Sequence, residues 1–146
     1  MKIRADEHVS PKIIRALRDL VLNPAWELSH VREMHGTRTA DETWVAQFAA
    51  DGGRGIITAD ATMLKRPHQR RAIQSSGVAG VVLPRSWAMA RRHIQASALL
   101  FHWPQIEDVL ATAAPGEFWR MPTRLHRGPL ERVRIGASRV SARGAS

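Results

Sequence analysis

Short apolar runs alternate along this chain with segments in which apolar residues recur at helical spacing. Residues 2–6, 55–59 and 78–83 have the length and bounding of strands buried in a sheet, and residues 26–31 show a weaker strand pattern. A helix is predicted to follow the first strand, because Ser10-Pro11 combines an N-cap residue with proline at the first helical position. The alternating order predicts an α/β fold with a mostly parallel sheet and helices on both faces.

The later elements are predicted from capping and proline signals. Thr39 and Glu42 stand three residues apart ahead of an apolar face, which is the spacing of a capping box that opens a helix. A helix is also predicted in the basic segment 65–75, after Pro67. Residues 87–101 are predicted to form a helix, with a new helix starting at Trp103-Pro104. Phe118-Trp119 is predicted to add a short edge strand.

Two of the predicted strands are followed by a carboxylate. Asp6 ends the first strand, and Asp60 follows the run 55–59. Because the carboxyl ends of parallel strands share one edge of a sheet, where ligands bind in open α/β folds, we expect these side chains to lie together. Like charges at one place are neutralised by a proton or by a hard cation such as Mg²⁺ or Mn²⁺. The pattern therefore predicts a metal site, with turn formation or helix capping as the structural alternative.

A third carboxylate is predicted at the start of the capping-box helix. Glu42 has a local role there, reaching back to the Thr39 amide, whereas Asp41 has none, so Asp41 is the better candidate ligand. Its structural alternative is compensation of the helix dipole in the first turn. Glu7 follows Asp6 on the opposite side of an extended backbone, which places it outside the pocket.

Two further polar residues are expected near these carboxylates. Thr58 points by strand alternation to the side of Asp60, where it can satisfy a backbone group or bind water on a cation. His8 is the histidine expected closest to the site, because it is two residues from Asp6.

Basic residues follow the same strand ends and dominate the C-terminal segment. The formal net charge is +9, and residues 120–146 contain seven arginines against one acid, Glu131. We divide the chain into a domain over residues 1–122 and a basic extension over 123–146, suited to a polyanion, to an acidic protein or only to solubility. The cations expected to bind a phosphodiester backbone around the pocket are Lys65, Arg66, Arg70, Arg71 and Arg85.

The composition excludes several classes of site. The chain has no cysteine, so disulfides, thiolate zinc sites and cysteine nucleophiles are absent. No apolar stretch has the length of a signal peptide or of a membrane span. We expect a soluble, cytoplasmic protein with no membrane association.

Four segments, taken together, resemble the small PIN-like domains related to VapC-type toxins. They are Lys2 to Glu7, His30 to Met34, Ala40-Asp41-Glu42 and Ile56 to Asp60, and the resemblance covers about residues 1–85. It implies a three-layer α/β/α PIN-like fold and an endoribonuclease that depends on Mg²⁺ or Mn²⁺. It also implies the toxin of a toxin-antitoxin pair, with a cognate antitoxin as partner and a tendency to form homodimers.

Carried over residue by residue, the resemblance gives Asp6, Asp41 and Asp60 as catalytic metal ligands, with Glu42 as an alternate ligand. Such domains frequently have a second acidic residue two positions after the one at Asp60, followed by an aromatic residue. Here these positions hold Thr62 and Met63. The departure leaves one-metal catalysis and loss of activity both open.

Two other classes of protein remain as alternatives. A receiver-like phosphoacceptor domain also places acidic residues after its first and third strands, but it needs a lysine after a late strand, where this chain has Leu83-Pro84-Arg85. A non-catalytic module that binds nucleic acid or protein through its arginines is the other alternative.

Overall fold

The computed structural model describes residues 1–35 and 39–134. In this part of the chain, one six-stranded sheet has the order β2-β1-β3-β4-β5-β6. All neighbouring strands are parallel except β5 and β6, which are antiparallel. The strands are β1 (Lys2–Ala5), β2 (Glu27–His30), β3 (Gly55–Thr58), β4 (Ala79–Val82), β5 (Phe118–Arg120) and β6 (Glu131–Arg132).

The helices cover both faces of this sheet, as the alternating sequence pattern predicts. The described α-helices are α1 (Pro11–Leu20), α2 (Val31–His35), α3 (Asp41–Ala50), α4 (Pro67–Ser76), α5 (Arg85–Ala88) and α6 (Arg92–Thr112), and a short 3₁₀ helix spans Ala61–Leu64. Neighbouring residues of β3 serve opposite faces: Ile57 packs with residues of α1 and α6, and Ile56 with residues of α3 and α4. The three-layer α/β/α fold is confirmed.

The start of α1 forms as its sequence signals predict. The Ser10 hydroxyl accepts a hydrogen bond from the Lys12 backbone N–H (3.2 Å), and Pro11 occupies the first turn. Because α1 carries Ile14 and Leu17 fully buried against the sheet, the chain is held where it leaves β1. The loop between β1 and α1, which contains Asp6, is thereby fixed at both ends.

The predicted capping box is wrong. The N-cap residue of α3 is Ala40, which makes no side-chain capping bond, and the Thr39 hydroxyl instead donates to the His35 carbonyl (2.8 Å). Thr39 is therefore satisfied by the end of α2, one residue too far from α3 to cap it. Asp41 and Glu42 occupy the first turn of α3, where a carboxylate is favourable to the helix dipole.

The predicted helix boundaries around Trp103 are also wrong. The segment 87–101 is interrupted between Ala88 and Arg92, and α6 then runs without a break through Pro104. An interior proline removes one helical hydrogen bond and costs about 3 kcal/mol. Fully buried residues on both sides of it, Trp103 and Ile106, hold this helix against the sheet despite that cost.

The prediction of an edge strand at Phe118-Trp119 is wrong, because β5 has a neighbour on each side. It pairs with β4 and with β6, and the Val133 N–H donates to the Phe118 carbonyl (2.8 Å). Leu130, which precedes β6, is buried in the core. Residues 123–134 of the predicted extension therefore contact the domain, and residues 135–146 lie outside the described residues. The boundary after residue 122 stays a prediction.

Within residues 1–35 and 39–134, each helix falls short of the length or the apolarity that crossing a membrane requires.

Candidate functional site

Asp6 lies in the loop after β1 with its carboxylate almost completely buried. Its side chain is 2% exposed; one carboxylate oxygen accepts the His8 backbone N–H (3.1 Å) and the other accepts the Thr58 hydroxyl. Burial raises the pKa of Asp6 to about 6, and the negative charge of Asp41 adds to the increase, against the lowering effect of the Thr58 and His8 hydrogen bonds. Asp6 is thus a carboxylate that folding makes harder to ionise.

Thr58 connects Asp6 to Asp60. Its hydroxyl donates to the Asp6 carboxylate, and its oxygen accepts the Asp60 backbone N–H (2.9 Å). The expectation that Thr58 satisfies a backbone group is confirmed, and the bond to Asp6 adds a second role. Because Thr58 ends β3 and Asp6 follows β1, which pairs with β3, one side chain fixes the positions of both strand ends.

Asp60 has a structural role in addition to its place at the sheet edge. One carboxylate oxygen accepts both the backbone N–H (2.9 Å) and the hydroxyl (2.6 Å) of Thr62, so Asp60 caps the short 3₁₀ helix that follows. The other oxygen lies 4.0 Å from His8 Nε2. His8 is therefore beside the site, as predicted.

Asp41 reaches this region from the first turn of α3. One of its oxygens accepts the Trp44 indole N–H (3.0 Å). Burial raises the pKa of Asp41, and the charges of Asp60 and Glu7 raise it further. The charge of Asp41 contributes to the raised pKa of Asp6, and the charge of Asp60 to the raised pKa of Asp41. The three aspartates therefore lie close enough to interact electrostatically.

Glu7 and Glu42 have different surroundings. Glu7 is exposed beside the buried Asp6, and its charge contributes to the raised pKa of Asp41; its place outside the pocket stays a prediction. Glu42 does not form the capping box. One of its oxygens lies 4.0 Å from His68 Nε2 on α4, and the other is buried without a hydrogen-bond partner among the described residues.

The chemistry of these side chains fits a hard divalent cation, although a closed ligand set is not formed. Among residues 1–35 and 39–134, no group of three His, Asp or Glu side chains is arranged to hold a metal ion. However, all the candidate donors are carboxylate oxygens, the type that Mg²⁺ and Mn²⁺ prefer. Besides the effect of burial, the charge of Asp41 raises the pKa of Asp6 and the charge of Asp60 raises the pKa of Asp41, and a buried oxygen of Glu42 lacks a partner among the described residues. A cation would relieve both conditions.

The predicted basic residues divide into two groups around this edge. Lys65 and Arg70 line one groove together with Arg120 and Arg134, whereas Arg66, Arg71 and Arg85 do not line it. Sequence reasoning missed Arg120 and Arg134. Arg120 was open to prediction, because it directly follows the apolar Phe118-Trp119 pair, but Arg134 depends on β6, whose two residues carry no apolar pattern.

A comparison with family models assigns this chain to a family. A model described as a PIN like domain matches residues 1–85, which is more than half of the chain. The chain belongs to the PIN-like domain family, a nuclease-type fold whose members are generally nucleases and typically use divalent metals. Searches of the curated proteins and of the solved structures each gave no match. The relation to VapC-type toxins stays a prediction.

Proposed function

We propose that this protein is a Mg²⁺- or Mn²⁺-dependent endoribonuclease that hydrolyses RNA phosphodiester bonds. The observation that carries the proposal is the electrostatic coupling of three aspartates: besides the effect of burial, the charge of Asp41 raises the pKa of Asp6, and the charge of Asp60 raises the pKa of Asp41. A cluster of carboxylates is suited to a hard divalent cation, which would neutralise its negative charge. Membership of a family of nucleases supports the same reaction class.

In this proposal each residue of the cluster has a distinct task. Asp6, Asp41 and Asp60 would hold the cation, with the unpartnered Glu42 oxygen as a further donor. When bound, the cation supplies a lowered pKa for water and stabilisation of the charge on the leaving oxygen. Thr58 keeps the Asp6 carboxylate in one orientation, and Thr62 does the same for Asp60.

Thr62 also suggests how many cations the site takes. It stands where related domains frequently have another acid, and its hydroxyl is used in a bond to Asp60. That bond orients an existing ligand instead of adding negative charge. The arrangement favours a single cation.

The test is cleavage of a labelled single-stranded RNA by the full chain with Mg²⁺, with Mn²⁺ and with chelator. We expect cleavage only with a cation, and a loss of about 100-fold or more in Asp41→Asn, since even outer-shell metal partners cost about 10–100-fold. Asp19→Asn, which neutralises an exposed carboxylate on α1, is the matched control and should cleave normally. Cleavage that persists in chelator, or that Asp41→Asn retains, would contradict the proposal.

The cellular role that we propose is that of a toxin acting on RNA in the cytoplasm, neutralised by a cognate antitoxin, with homodimer formation. The strongly basic surface supports an acidic partner. Induced expression should stop growth, Asp41→Asn should abolish the effect, and co-expression of the product of an adjacent short gene should restore growth. Growth unaffected by an active enzyme would remove the toxin role and leave the ribonuclease activity standing.

A further inference from the structure

A groove with a basic rim lies next to the aspartates, on the β5–β6 side of the site. It has a volume of about 380 Å³, within the size range of ligand-binding clefts, roughly 300–1,000 Å³. Four cations line it, Lys65, Arg70, Arg120 and Arg134, and the remaining lining residues are the apolar Ala61, Leu64, Val82 and Val133.

The charge of this groove is not balanced from within. No acidic residue is among its lining residues. Glu131, which stands opposite Arg120 in the register of β5 and β6, shares the neighbouring cavity with Arg120 but forms no ion pair with it within the described residues. Four like charges around one cleft repel unless an anion occupies it. The groove therefore selects for a polyanion.

The groove lies beside the candidate metal site, although none of the three aspartates lines it. Ala61, one of its lining residues, directly follows Asp60, and Val82 ends β4 at the same edge of the sheet. A chain lying along it would pass from the aspartates across the ends of β4 and β5 to the segment after β6. A polymer with an anionic backbone and apolar faces matches a basic rim over an apolar floor.

We infer that this groove binds the sugar–phosphate backbone of single-stranded RNA beside the phosphate to be cleaved, with Arg120 and Arg134 as binding residues. The inference rests on the proposed function and extends it to residues beyond the 1–85 match to the family model. Guanidinium groups bind phosphate oxygens through paired N–H donors, and the apolar floor of Leu64, Val82 and Val133 accommodates a base or ribose. Single strands fit because their unstacked bases can reach such a floor.

The experiment measures binding of a labelled single-stranded RNA to the full chain in Ca²⁺ across a salt series. The double variant Arg120→Gln/Arg134→Gln is compared with Arg15→Gln/Arg54→Gln, which removes the same charge from exposed arginines elsewhere. Because each phosphate contact contributes about 0.7 to the salt slope, the groove variant should lower the slope by about 1.4 and the control variant should leave it unchanged. Equal thermal melting of the variants establishes that both remain folded.

Each outcome decides the inference separately from the ribonuclease proposal, because binding is measured without turnover. A lowered slope in the groove variant supports the inference even if no RNA is ever cleaved. Equal slopes for the two variants overturn it even if cleavage is intact. A groove variant that keeps RNA binding but loses binding to a poly-glutamate peptide also overturns it, and assigns the groove to an acidic protein partner.

Discussion

The Thr58 hydroxyl donates a hydrogen bond to the buried carboxylate of Asp6, at the point where β1 and β3 end side by side. The same oxygen accepts the N–H of Asp60, so one threonine fixes two candidate metal ligands. A buried carboxylate depends on such donors, because leaving it unpaired costs far more than the bond contributes on average. The geometry of the site is therefore tied to a residue that binds no metal itself.

Replacing Thr58 by valine should destabilise the protein at neutral pH. The change keeps the shape of the side chain but removes the donor to Asp6 and the acceptor for Asp60, and an unsatisfied buried group costs about 1–3 kcal/mol. Chemical denaturation at pH 7 measures the difference. Thr58→Ser is the control, because it keeps the hydroxyl and should lose less than Thr58→Val. A larger loss in Thr58→Ser than in Thr58→Val would show that the methyl group, not the hydrogen bond, is what matters.

Asp6→Asn should remove a pH dependence from the stability of the metal-free protein. The folded pKa of Asp6 is about 6, against an ordinary value of 3.8, so the folded state binds more protons than the unfolded state between these values. The stability of the wild type should therefore fall as the pH rises from about 4 to about 6, by up to about 3 kcal/mol at 1.36 kcal/mol for each unit of pKa shift.

The measurement for Asp6→Asn is denaturant unfolding in chelator at pH 4, 5, 6 and 8. Above pH 6 the variant should be as stable as the wild type or more stable, with a flatter profile. Asp19→Asn, an exposed aspartate on α1, should keep the profile of the wild type. A variant that unfolds more easily at pH 8 would show that the ionised carboxylate is structural.

Gly80→Ala should test the packing between β4 and β5. A Cβ atom on Gly80 would overlap the ring of fully buried Phe118, and overpacking of a core typically costs about 1–3 kcal/mol. Phe118→Leu should recover part of the loss when combined with Gly80→Ala, because the smaller side chain makes room. Denaturation of the two single variants and the double variant forms a complete cycle. Strictly additive losses would mean that the two residues do not meet.

Truncation should show where the domain ends. A chain ending at residue 134 keeps Leu130 and β6, whereas one ending at residue 122 loses both, together with the Arg124 carbonyl that contacts His102. Burial of one leucine side chain contributes about 1.5–3 kcal/mol. We expect the 1–122 chain to melt well below the 1–134 chain, and Leu130→Ala in the full chain to reproduce part of the difference. Equal melting of the two truncated chains would confirm the boundary predicted after residue 122.

Much of the fold could be predicted because its signals are local. The apolar run 55–59 predicts a buried strand, and Ser10-Pro11 predicts the start of a helix. The alternation of such strands and helices predicts a parallel sheet. Local sequence patterns did not predict elements that depend on contacts with residues far away in the chain. Pro104 stays within α6 because its neighbours are buried, and β6 forms only because β5 is present beside it.

The candidate site also contains residues that could be predicted from the sequence and residues that could not. Asp6 and Asp60 could be predicted because each follows a strand, and strand ends share an edge. The surroundings of Asp41 could not, since they depend on how α3 packs. The predicted difference between Asp41 and Glu42 depended on a capping box that does not form, although both residues do lie in the first turn of α3. The position of Arg134 at the groove could not be predicted, because it depends on β6.

The central claim is that Asp6, Asp41 and Asp60 together hold one hard cation, and calorimetric titration of the metal-free protein with Mn²⁺ at pH 8 tests it directly. At this pH Asp6 is ionised, since its pKa is about 6. We expect one saturable site in the wild type and in the Asp19→Asn control, and an affinity at least about tenfold weaker in Asp41→Asn. No saturable binding by the wild type, or equal affinities for Asp41→Asn and the wild type, would contradict the account.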